Sequence, residues 1–362
     1  MKRHRWVVMS GIFALLVVLV YIQFRTLKSF DWSTLTQTFD SIRWSRLALA
    51  TVLIYGAYIA RAFRWSVFLR PSKPATPAQM VPAQFIGFTS VAVLGRLGEF
   101  VRPYLVARRQ QLTFTSQLAI YAVERVFDLL AAAGIIAVTL SISPSVKNLP
   151  YHEQFRRAGY LGIAAALVLA LIAVAIRFSG PRIADLASRW FSLISKKLAH
   201  GIHDKILAFS YGLDAIAGWG AFLEALFYSF MTWGLIAWAY VVVVHSFSVP
   251  ELASIPAAQT ILLMAGSLFG SFAQLPAIGG GSQVAIIYVL TSVLHVGPEA
   301  ATACALTLYV TTFLTVIPAG LAFARVEQVS LRNVARESEM EEEELEATRQ
   351  DPDNPQQVHS LP

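Results

Sequence analysis

The sequence predicts an all-α, polytopic membrane protein with about six full transmembrane helices and two re-entrant helical hairpins in an inverted-topology repeat. Hydrophobic residues make up 56% of its 362 positions and charged residues only 14%. Several uncharged runs reach the length of about 20 residues that an α-helix needs to cross the hydrocarbon layer. Two other apolar stretches are too short or too interrupted for ordinary spans, and these interruptions predict the hairpins.

Four transmembrane helices are predicted from runs that contain no Asp, Glu, Lys or Arg. These runs are residues 6–24, 158–176, 225–244 and 300–324. The first run follows basic residues, but it is longer than the apolar region of a signal peptide. We therefore expect it to remain as the first helix.

Two further predicted spans carry charges. Residues 47–69 contain the motif RAFRW near their end, at residues 61–65. Arg61, Arg64 and Trp65 in this motif are interpreted as an anchor whose side chains reach the membrane interface. Residues 112–143 are apolar apart from the motif ERVFD, which contributes three charges. This helix differs from the others because its charges lie far from both ends.

The first hairpin is predicted around Gly95. Residues 80–94 provide only 15 uncharged positions before Gly95 and Arg96. A complete crossing would reverse the orientation of every later loop and place the basic segment 177–205 outside, against the positive-inside rule. A re-entrant hairpin that opens to the cytoplasm fits the loop charges better.

The second hairpin is predicted in residues 252–298, which are 47 positions without a formal charge. Pro276, Gly279, Gly280 and Gly281 interrupt its middle. Proline cannot continue a helix and glycine permits positive φ, so two short helices joined by a turn are expected. The loop charges leave two alternatives open here, a hairpin or a pair of short full spans.

With two hairpins, the chain divides into similar halves at residues 1–146 and 157–325. The first half starts inside and the second outside, which is a transporter pattern with a binding site near the bilayer midplane. Residues 326–362 are predicted to be an acidic, largely disordered cytoplasmic tail, because their composition cannot bury a core. The basic loops place both termini in the cytoplasm, and the net charge of +7 favours anionic lipid, not nucleic acid, as the partner.

Six charges form the candidate binding site of the first half. They are Arg96, Glu99, Arg102, Glu124, Arg125 and Asp128. An unpaired charge at mid-bilayer costs about 2.5–3.5 kcal/mol or more, so such residues are functional candidates. In one interpretation the three bases and three acids neutralise one another and fix the hairpin against the helix. In the other, Arg96 and Arg102 bind a phosphate group through their planar guanidinium forks, and an acid at Glu99 or Glu124 titrates for proton coupling.

Three motifs carry a resemblance to a known family. The runs GRLGEFVRP, ERVFD and PAIGGGSQ occur in this order and resemble the lysylphosphatidylglycerol synthase transmembrane region, a flippase-like family. The resemblance extends to about Arg325 and implies a protein of the bacterial cytoplasmic membrane that moves lipids or lipid-linked groups between leaflets. It adds Gly279, Gly280 and Gln283 of the second turn to the candidate substrate-binding residues.

The second turn departs from the family pattern, which has a glutamate where this chain has Gln283. Ala277 and Ile278 also replace the early glycines of that pattern. The resemblance therefore puts an acid-dependent step at this turn in doubt, although an amide can still donate a hydrogen bond to a headgroup. The roughly forty residues after Arg325 are not expected to form the aminoacyl-transferase domain of the bifunctional members.

These observations predict a flippase-like transporter of an anionic phospholipid or of a lipid-linked substrate of the polyprenyl-phosphate or hopanoid type. We expect no enzymatic activity and no cofactor. A membrane enzyme acting on headgroups is disfavoured, because we find no catalytic constellation or phosphate-cradling loop. An accessory subunit of a lipid or cell-envelope biosynthetic enzyme is the alternative. His200 and His203 have no third ligand near in sequence, so no metal site is expected.

Overall fold

The computed structural model describes residues 31–147, 149–192, 201–203, 206–207, 210, 218–271, 274–275 and 279–327. The predicted first span 6–24 and the acidic tail beyond residue 327 lie outside these residues. The helices and strands are α1 Trp32–Asp40, α2 Trp44–Leu69, α3 Pro77–Leu94, a 3₁₀ turn Gly95–Phe100, α4 Val101–Gln110, α5 Phe114–Ile142, α6 Pro144–Lys147, α7 His152–Ser192, α8 Gly218–Val244, α9 Pro250–Ala253, α10 Ala257–Gly270, β1 Gln274–Leu275, β2 Gly279–Gly280, α11 Gly281–Tyr288, a π-helical turn Val289–Val293, α12 Pro298–Tyr309, a second π-helical turn Val310–Leu314 and α13 Val316–Val326.

The predicted all-α, polytopic class is confirmed. Six helices in the described part of the chain are long and apolar enough to cross a membrane, namely Trp44–Leu69, Pro77–Leu94, Phe114–Ile142, His152–Ile172, Gly218–Val244 and Pro298–Val326. Five of them correspond to predicted spans. The sixth, Pro77–Leu94, belongs to the segment that the sequence assigns to a hairpin, and at about 27 Å it approaches the thickness of the hydrocarbon layer. Whether this segment is re-entrant stays a prediction.

Asp31, the N-cap residue of helix α1, connects this helix to the second half of the chain. The Asp31 carboxylate caps the helix by accepting the backbone N–H groups of Ser33 and Thr34 at 2.9 and 3.3 Å. Hydrogen bonds donated to the Asp31 carboxylate, most strongly by the hydroxyl of Ser33 and next by that of Thr34, lower the pKa of Asp31 to about 2. The backbone N–H of Asp31 donates to the Glu299 carboxylate at 3.2 Å. The helix therefore begins beside the start of α12.

Helices α3 and α4 form an antiparallel helical hairpin, here called the first hairpin (Pro77–Gln110). Near the tip, a Cβ atom on Gly98 would lie 2.3 Å from the Ser90 carbonyl, so the two backbones touch there. At the open end, Arg109 Nη1 donates to the Gln79 carbonyl at 2.9 Å. Gly95 turns the chain with φ 67°, a conformation that glycine adopts without steric cost.

Helix α10 and the α11 segment form a second antiparallel hairpin, here called the second hairpin (residues 257–293). Its legs meet where a Cβ atom on Gly270 would lie 2.1 Å from the Gly281 carbonyl, and Ser282 Oγ donates to the Ser267 carbonyl at 3.0 Å. Strands β1 and β2 pair antiparallel at the tip. Helix α10 is only about 21 Å long, shorter than the hydrocarbon layer.

Helices from the two halves of the chain pack against one another. Helix α2 of the first half packs along α8 of the second half, and α3 packs along α13. The α3–α13 crossing depends on Gly320, where a Cβ atom would lie 1.9 Å from Thr89 Oγ1 and 2.6 Å from the Phe85 carbonyl. The tips of the two hairpins also meet, because β1 contacts the 3₁₀ turn. The inverted-topology repeat itself stays a prediction.

Candidate functional site

Two carboxylates on α5 form the centre of the candidate site. Glu124 and Asp128 lie four residues apart, and both are buried, with 0% and 4% of their surface exposed. As the sequence predicts, they share one face of the helix. That face points at α2 and α4, the helices that supply three of the four positive charges.

Two of these positive charges come from α2, at residues that sequence reasoning placed at the membrane interface. Arg61 Nη1 donates to Asp128 Oδ2 at 2.9 Å, and Arg64 donates to Asp128 Oδ1 at 2.8 Å and to Glu124 Oε1 at 2.5 Å. Both arginines are buried. The interpretation of Arg61, Arg64 and Trp65 as a snorkelling anchor is wrong, because α2 packs these residues inside the protein.

A third positive charge comes from the first hairpin. Arg102 Nη2 lies 2.6 Å from Glu124 Oε2. This contact is an ion pair but not a hydrogen bond. Glu124 Oε2 accepts no hydrogen bond from the described part of the structure. Arg102 Nη1 donates to Gln84 Oε1 at 2.9 Å and to Glu124 Oε1 at 3.1 Å. Arg102 therefore joins both legs of the hairpin to α5.

The fourth positive charge, Arg125, differs from the others in its exposure. Arg125 Nη2 lies 2.9 Å from Asp128 Oδ2, and 42% of its side chain is exposed. Arg61, Arg64, Arg102, Glu124, Arg125 and Asp128 are here called the charge cluster. Arg125 is the member through which the cluster reaches the surface.

The charge cluster does not neutralise itself. Four guanidinium groups surround two carboxylates, which leaves an excess of two positive charges. The predicted pairing of hairpin and helix charges is seen for Arg102 with Glu124 and for Arg125 with Asp128, but the predicted balance of three bases and three acids omitted Arg61 and Arg64. Taking ions out of water costs several kcal/mol each unless opposite charge and hydrogen bonds compensate, so this excess favours a bound anion.

Aromatic rings surround the arginines of the charge cluster. The guanidinium carbon of Arg102 lies 4.7 Å from the centre of the Trp65 ring and 5.2 Å from that of Tyr121. The guanidinium carbon of Arg61 lies 5.2 Å from the Phe88 ring centre. Such cation–π contacts stabilise a desolvated cation by about 2 kcal/mol. They allow the protein to hold positive charge where few carboxylates are present.

A small cleft of about 70 Å³ opens beside the cluster. It is lined by Gly87, Phe88, Val91, Glu99, Arg102, Tyr121 and Arg125. Tyr121 donates a hydrogen bond to the Glu99 carboxylate, which places one acid at the edge of the cleft. The volume equals about two water molecules of the liquid, which suits a small anionic group and not a whole lipid.

Several buried donors in this region have no acceptor among the described residues. They are Nε of Arg61, Nε of Arg64, Nε1 of Trp65 and Nε2 of Gln84. A buried polar group without a partner costs about 1–3 kcal/mol, and native proteins contain few of them. These donors are further groups that an anion or water could satisfy.

The remaining predicted site residues lie at the two tips. Arg96 belongs to the 3₁₀ turn, and its predicted side-chain role falls outside the described part of the structure. Gly279 pairs with Leu275 across the short sheet, and Gly280 adopts φ 115°. Gln283 is buried, and its Oε1 accepts the Gly280 N–H at 2.8 Å. Gln283 thus caps α11, and its role in binding substrate stays a prediction.

Arg61 and Arg64 are the site residues that sequence reasoning missed, and the sequence does contain a signal for them. They lie three residues apart, which places them on one helix face. Glu124 and Asp128 show the complementary spacing on another predicted span. Charges with matched spacing on two apolar helices indicate a pair buried between them.

Comparison with known proteins identifies the family. The family model described as the lysylphosphatidylglycerol synthase transmembrane region matches residues 7–320, which include both hairpins and the charge cluster. No curated protein and no solved structure matches the chain. This family is a membrane domain of lipid-related proteins. Since its model matches most of the sequence, the chain belongs to the family of the lysylphosphatidylglycerol synthase transmembrane region.

Proposed function

We propose that this protein is a flippase-like transporter that carries the phosphate-bearing headgroup of an anionic phospholipid or lipid-linked substrate between the leaflets of the membrane. The observation that carries the proposal is the excess of positive charge in the buried charge cluster, next to a cleft lined by Arg102 and Arg125. Arginine forms paired, charge-assisted hydrogen bonds with phosphate oxygens. A phosphate is therefore the ligand that this cluster fits best.

The charge balance of the described side chains is compatible with a bound phosphodiester. The charge cluster has two excess positive charges, and Glu99 at the edge of the cleft supplies one negative charge. One positive charge then remains, which a phosphodiester with one negative charge neutralises.

The position of the cleft supports a path between the two hairpins. The cleft lies near the tip of the first hairpin, and the tip of the second hairpin contacts the same 3₁₀ turn. If both hairpins are re-entrant in an inverted repeat, their tips face the midplane, where substrate sites of such transporters lie. The headgroup would then pass the charge cluster while its acyl chains stay in lipid.

The proposed orientation places this transporter in the bacterial cytoplasmic membrane with both termini in the cytoplasm. Arg70, Lys73, Arg108 and Arg109 gather at the open end of the first hairpin, where Lys73 Nζ donates to the Gln110 carbonyl at 2.8 Å. Helix α13 also ends there, because Arg109 pairs with Glu327. A basic end of this kind faces the cytoplasm under the positive-inside rule.

The test is transport of fluorescent phosphatidylglycerol in proteoliposomes, followed by quenching of the outer leaflet. Arg102→Ala should abolish transport, and Arg102→Lys should retain only part of it, because lysine keeps the charge but loses the fork. Arg70→Ala is the matched control, since Arg70 forms an exposed ion pair with Glu224 outside the cleft. Normal transport by a folded Arg102→Ala protein would contradict the assignment of the site.

The proposal includes no chemical change to the lipid. Purified protein incubated with defined lipids should return them unaltered, as checked by mass spectrometry. A modified headgroup that accumulates with time would instead show an enzyme acting on lipid.

One observation favours the second candidate, an accessory subunit of a lipid-biosynthetic enzyme. Helix α7 packs mainly against α5 and leaves several large apolar side chains exposed, among them Leu161, Leu167 and Leu171. Lipid or a partner helix could cover this surface. A stoichiometric partner that copurifies with the protein, together with no transport by the protein alone, would favour this candidate.

A further inference from the structure

A second, larger cavity lies at the open end of the first hairpin and is here called the interfacial cavity. Its volume is about 290 Å³, and it is lined by Pro82, Ala83, Ile86, Leu105, Arg108, Arg109 and Glu327. Four of these residues form an apolar wall and three form a charged rim. The cavity therefore offers apolar and ionic contacts to one ligand.

The interfacial cavity is distinct from the cleft beside the charge cluster. The two share no lining residue. Arg109 follows Arg102 by seven positions on α4, which corresponds to about 10 Å along the helix axis. The same hairpin thus carries two separate sites that contain arginine.

The position of the interfacial cavity corresponds to the headgroup level of a membrane. It lies where α3 begins, where α4 ends and where α13, the end of a candidate span, gives way to Glu327. The ends of membrane-crossing helices lie near the lipid headgroups. A ligand that enters here meets charge at the rim and apolar side chains deeper inside.

An internal ion pair occupies the rim. Arg109 Nη1 lies 2.9 Å from Glu327 Oε1, with 36% and 26% of the two side chains exposed. Exposed ion pairs of this kind are weak, so a competing anion can replace Glu327. Arg109 would keep its hydrogen bond to the Gln79 carbonyl, which holds the guanidinium in place for the new partner.

We infer that the interfacial cavity binds the phosphate of an anionic phospholipid, which displaces Glu327 from Arg109 while the first methylene groups of the lipid lie against Ala83, Ile86 and Leu105. The volume is close to the lower limit of about 300 Å³ for small-molecule sites, which fits a headgroup and not a whole lipid. The inference that the interfacial cavity binds lipid does not depend on the proposed function. A role of the cavity in loading lipid into the cleft rests on the proposed transport function.

The experiment is native mass spectrometry of the full-length protein in detergent with dioleoylphosphatidylglycerol or dioleoylphosphatidylcholine. Glu327→Gln should raise the affinity for phosphatidylglycerol about two- to fivefold, the factor that corresponds to a weak exposed ion pair. Arg109→Ala should lower it severalfold, toward the level of phosphatidylcholine. Binding of phosphatidylcholine should not change in the Glu327→Gln protein.

Matched controls come from Arg70 and Glu224, an exposed ion pair at 2.7 Å that does not line the interfacial cavity. Arg70→Ala and Glu224→Gln should leave phosphatidylglycerol binding unchanged. An equal rise in Glu224→Gln and Glu327→Gln would overturn the inference, because the effect would then come from bulk charge. Full displacement of the lipid by millimolar inorganic phosphate would also overturn it, since the apolar wall would contribute nothing.

The two sites are separable by experiment. Arg102→Ala should stop transport but leave phosphatidylglycerol binding at the interfacial cavity intact. Unaltered binding in both Glu327→Gln and Arg109→Ala would refute this cavity alone. Unaltered transport in Arg102→Ala would refute the proposed function alone.

Discussion

The two hairpins close by the same backbone device but differ in what they carry. In each, a glycine lets the two legs touch, Gly98 in the first and Gly270 in the second, and a glycine with positive φ turns the tip. Only the first hairpin supplies a charged side chain, Arg102, to the buried charge cluster. The glycine contacts that close a hairpin are therefore common to both, whereas the buried charge belongs to the first hairpin.

The difference also explains how each hairpin is held. The first hairpin is attached to α5 through Arg102 and Glu124, two buried groups of opposite charge. The second hairpin is held in its described part by apolar packing and by neutral hydrogen bonds, such as that from Gln259 Nε2 to the Ser145 carbonyl at 2.7 Å. Loss of one charge should therefore disturb the first hairpin far more than loss of one hydrogen bond disturbs the second.

The largest expected effect is that of Glu124→Gln. This carboxylate is buried within ion-pair distance of Arg61, Arg64, Arg102 and Arg125. Its neutralisation leaves the arginines with one acid, and breaking a buried ion pair costs about 3–5 kcal/mol. The measurement is thermal unfolding in detergent micelles. We expect a loss of this size and a marked fall in midpoint temperature.

The matched variant in the second hairpin is Ser282→Ala, which removes one neutral hydrogen bond to the Ser267 carbonyl. We expect a loss of about 0.5–1.5 kcal/mol. A cost for Glu124→Gln no greater than that for Ser282→Ala would show that the charge cluster is not a structural link, and the comparison would fail.

Part of the charge cluster could be predicted from the sequence alone. The i, i+4 spacing of Glu124 and Asp128 predicts their shared face, and membrane depth predicts that partners are near. The partners Arg61 and Arg64 were missed because two arginines and a tryptophan near the end of an apolar run also match an interface anchor. Which helix packs on which depends on side-chain fit between distant segments, and local hydropathy does not encode that fit.

The turns between the helical legs were predictable for a different reason. Glycine acts locally, so the interruptions at Gly95 and at Gly279 to Gly281 indicate turns without knowledge of the fold. The packing of α3 against Gly320 of α13 is long-range and was not predicted. The capping role of Gln283 was also missed, because its acceptor contact depends on the unusual backbone of Gly280.

A second prediction tests the shared backbone device through Gly98→Ala and Gly270→Ala. A Cβ atom at these positions would lie 2.3 and 2.1 Å from backbone carbonyl groups. Overpacking of this kind costs about 1–3 kcal/mol, and the two variants should lose similar stability in the same thermal assay. Similar losses would show that hairpin closure does not depend on the charges that distinguish the hairpins.

The control for both variants is Gly234→Ala in α8. A Cβ atom there would meet no atom within 4 Å, and alanine favours a helix over glycine by about 1 kcal/mol. The variant should be neutral or slightly stabilising. If all three alanine variants behave alike, close packing is not what requires glycine at the hairpin tips.

The smallest expected effect concerns Gln283, where the family resemblance suggests glutamate. Gln283→Ala removes the acceptor for the Gly280 N–H and should cost about 1 kcal/mol. Gln283→Glu keeps an acceptor and adds a negative charge at a helix N-terminus, which contributes about 0.3–1 kcal/mol and offsets part of the cost of burying that charge. We expect the glutamate variant to be the more stable of the two, because it keeps the acceptor for the Gly280 N–H that alanine removes.

If the second hairpin supplies only backbone and a cap, the glutamate variant should also transport phosphatidylglycerol at the wild-type rate. A severalfold change in that rate, with stability unaltered, would instead place residue 283 beside the substrate and give both hairpins a chemical role.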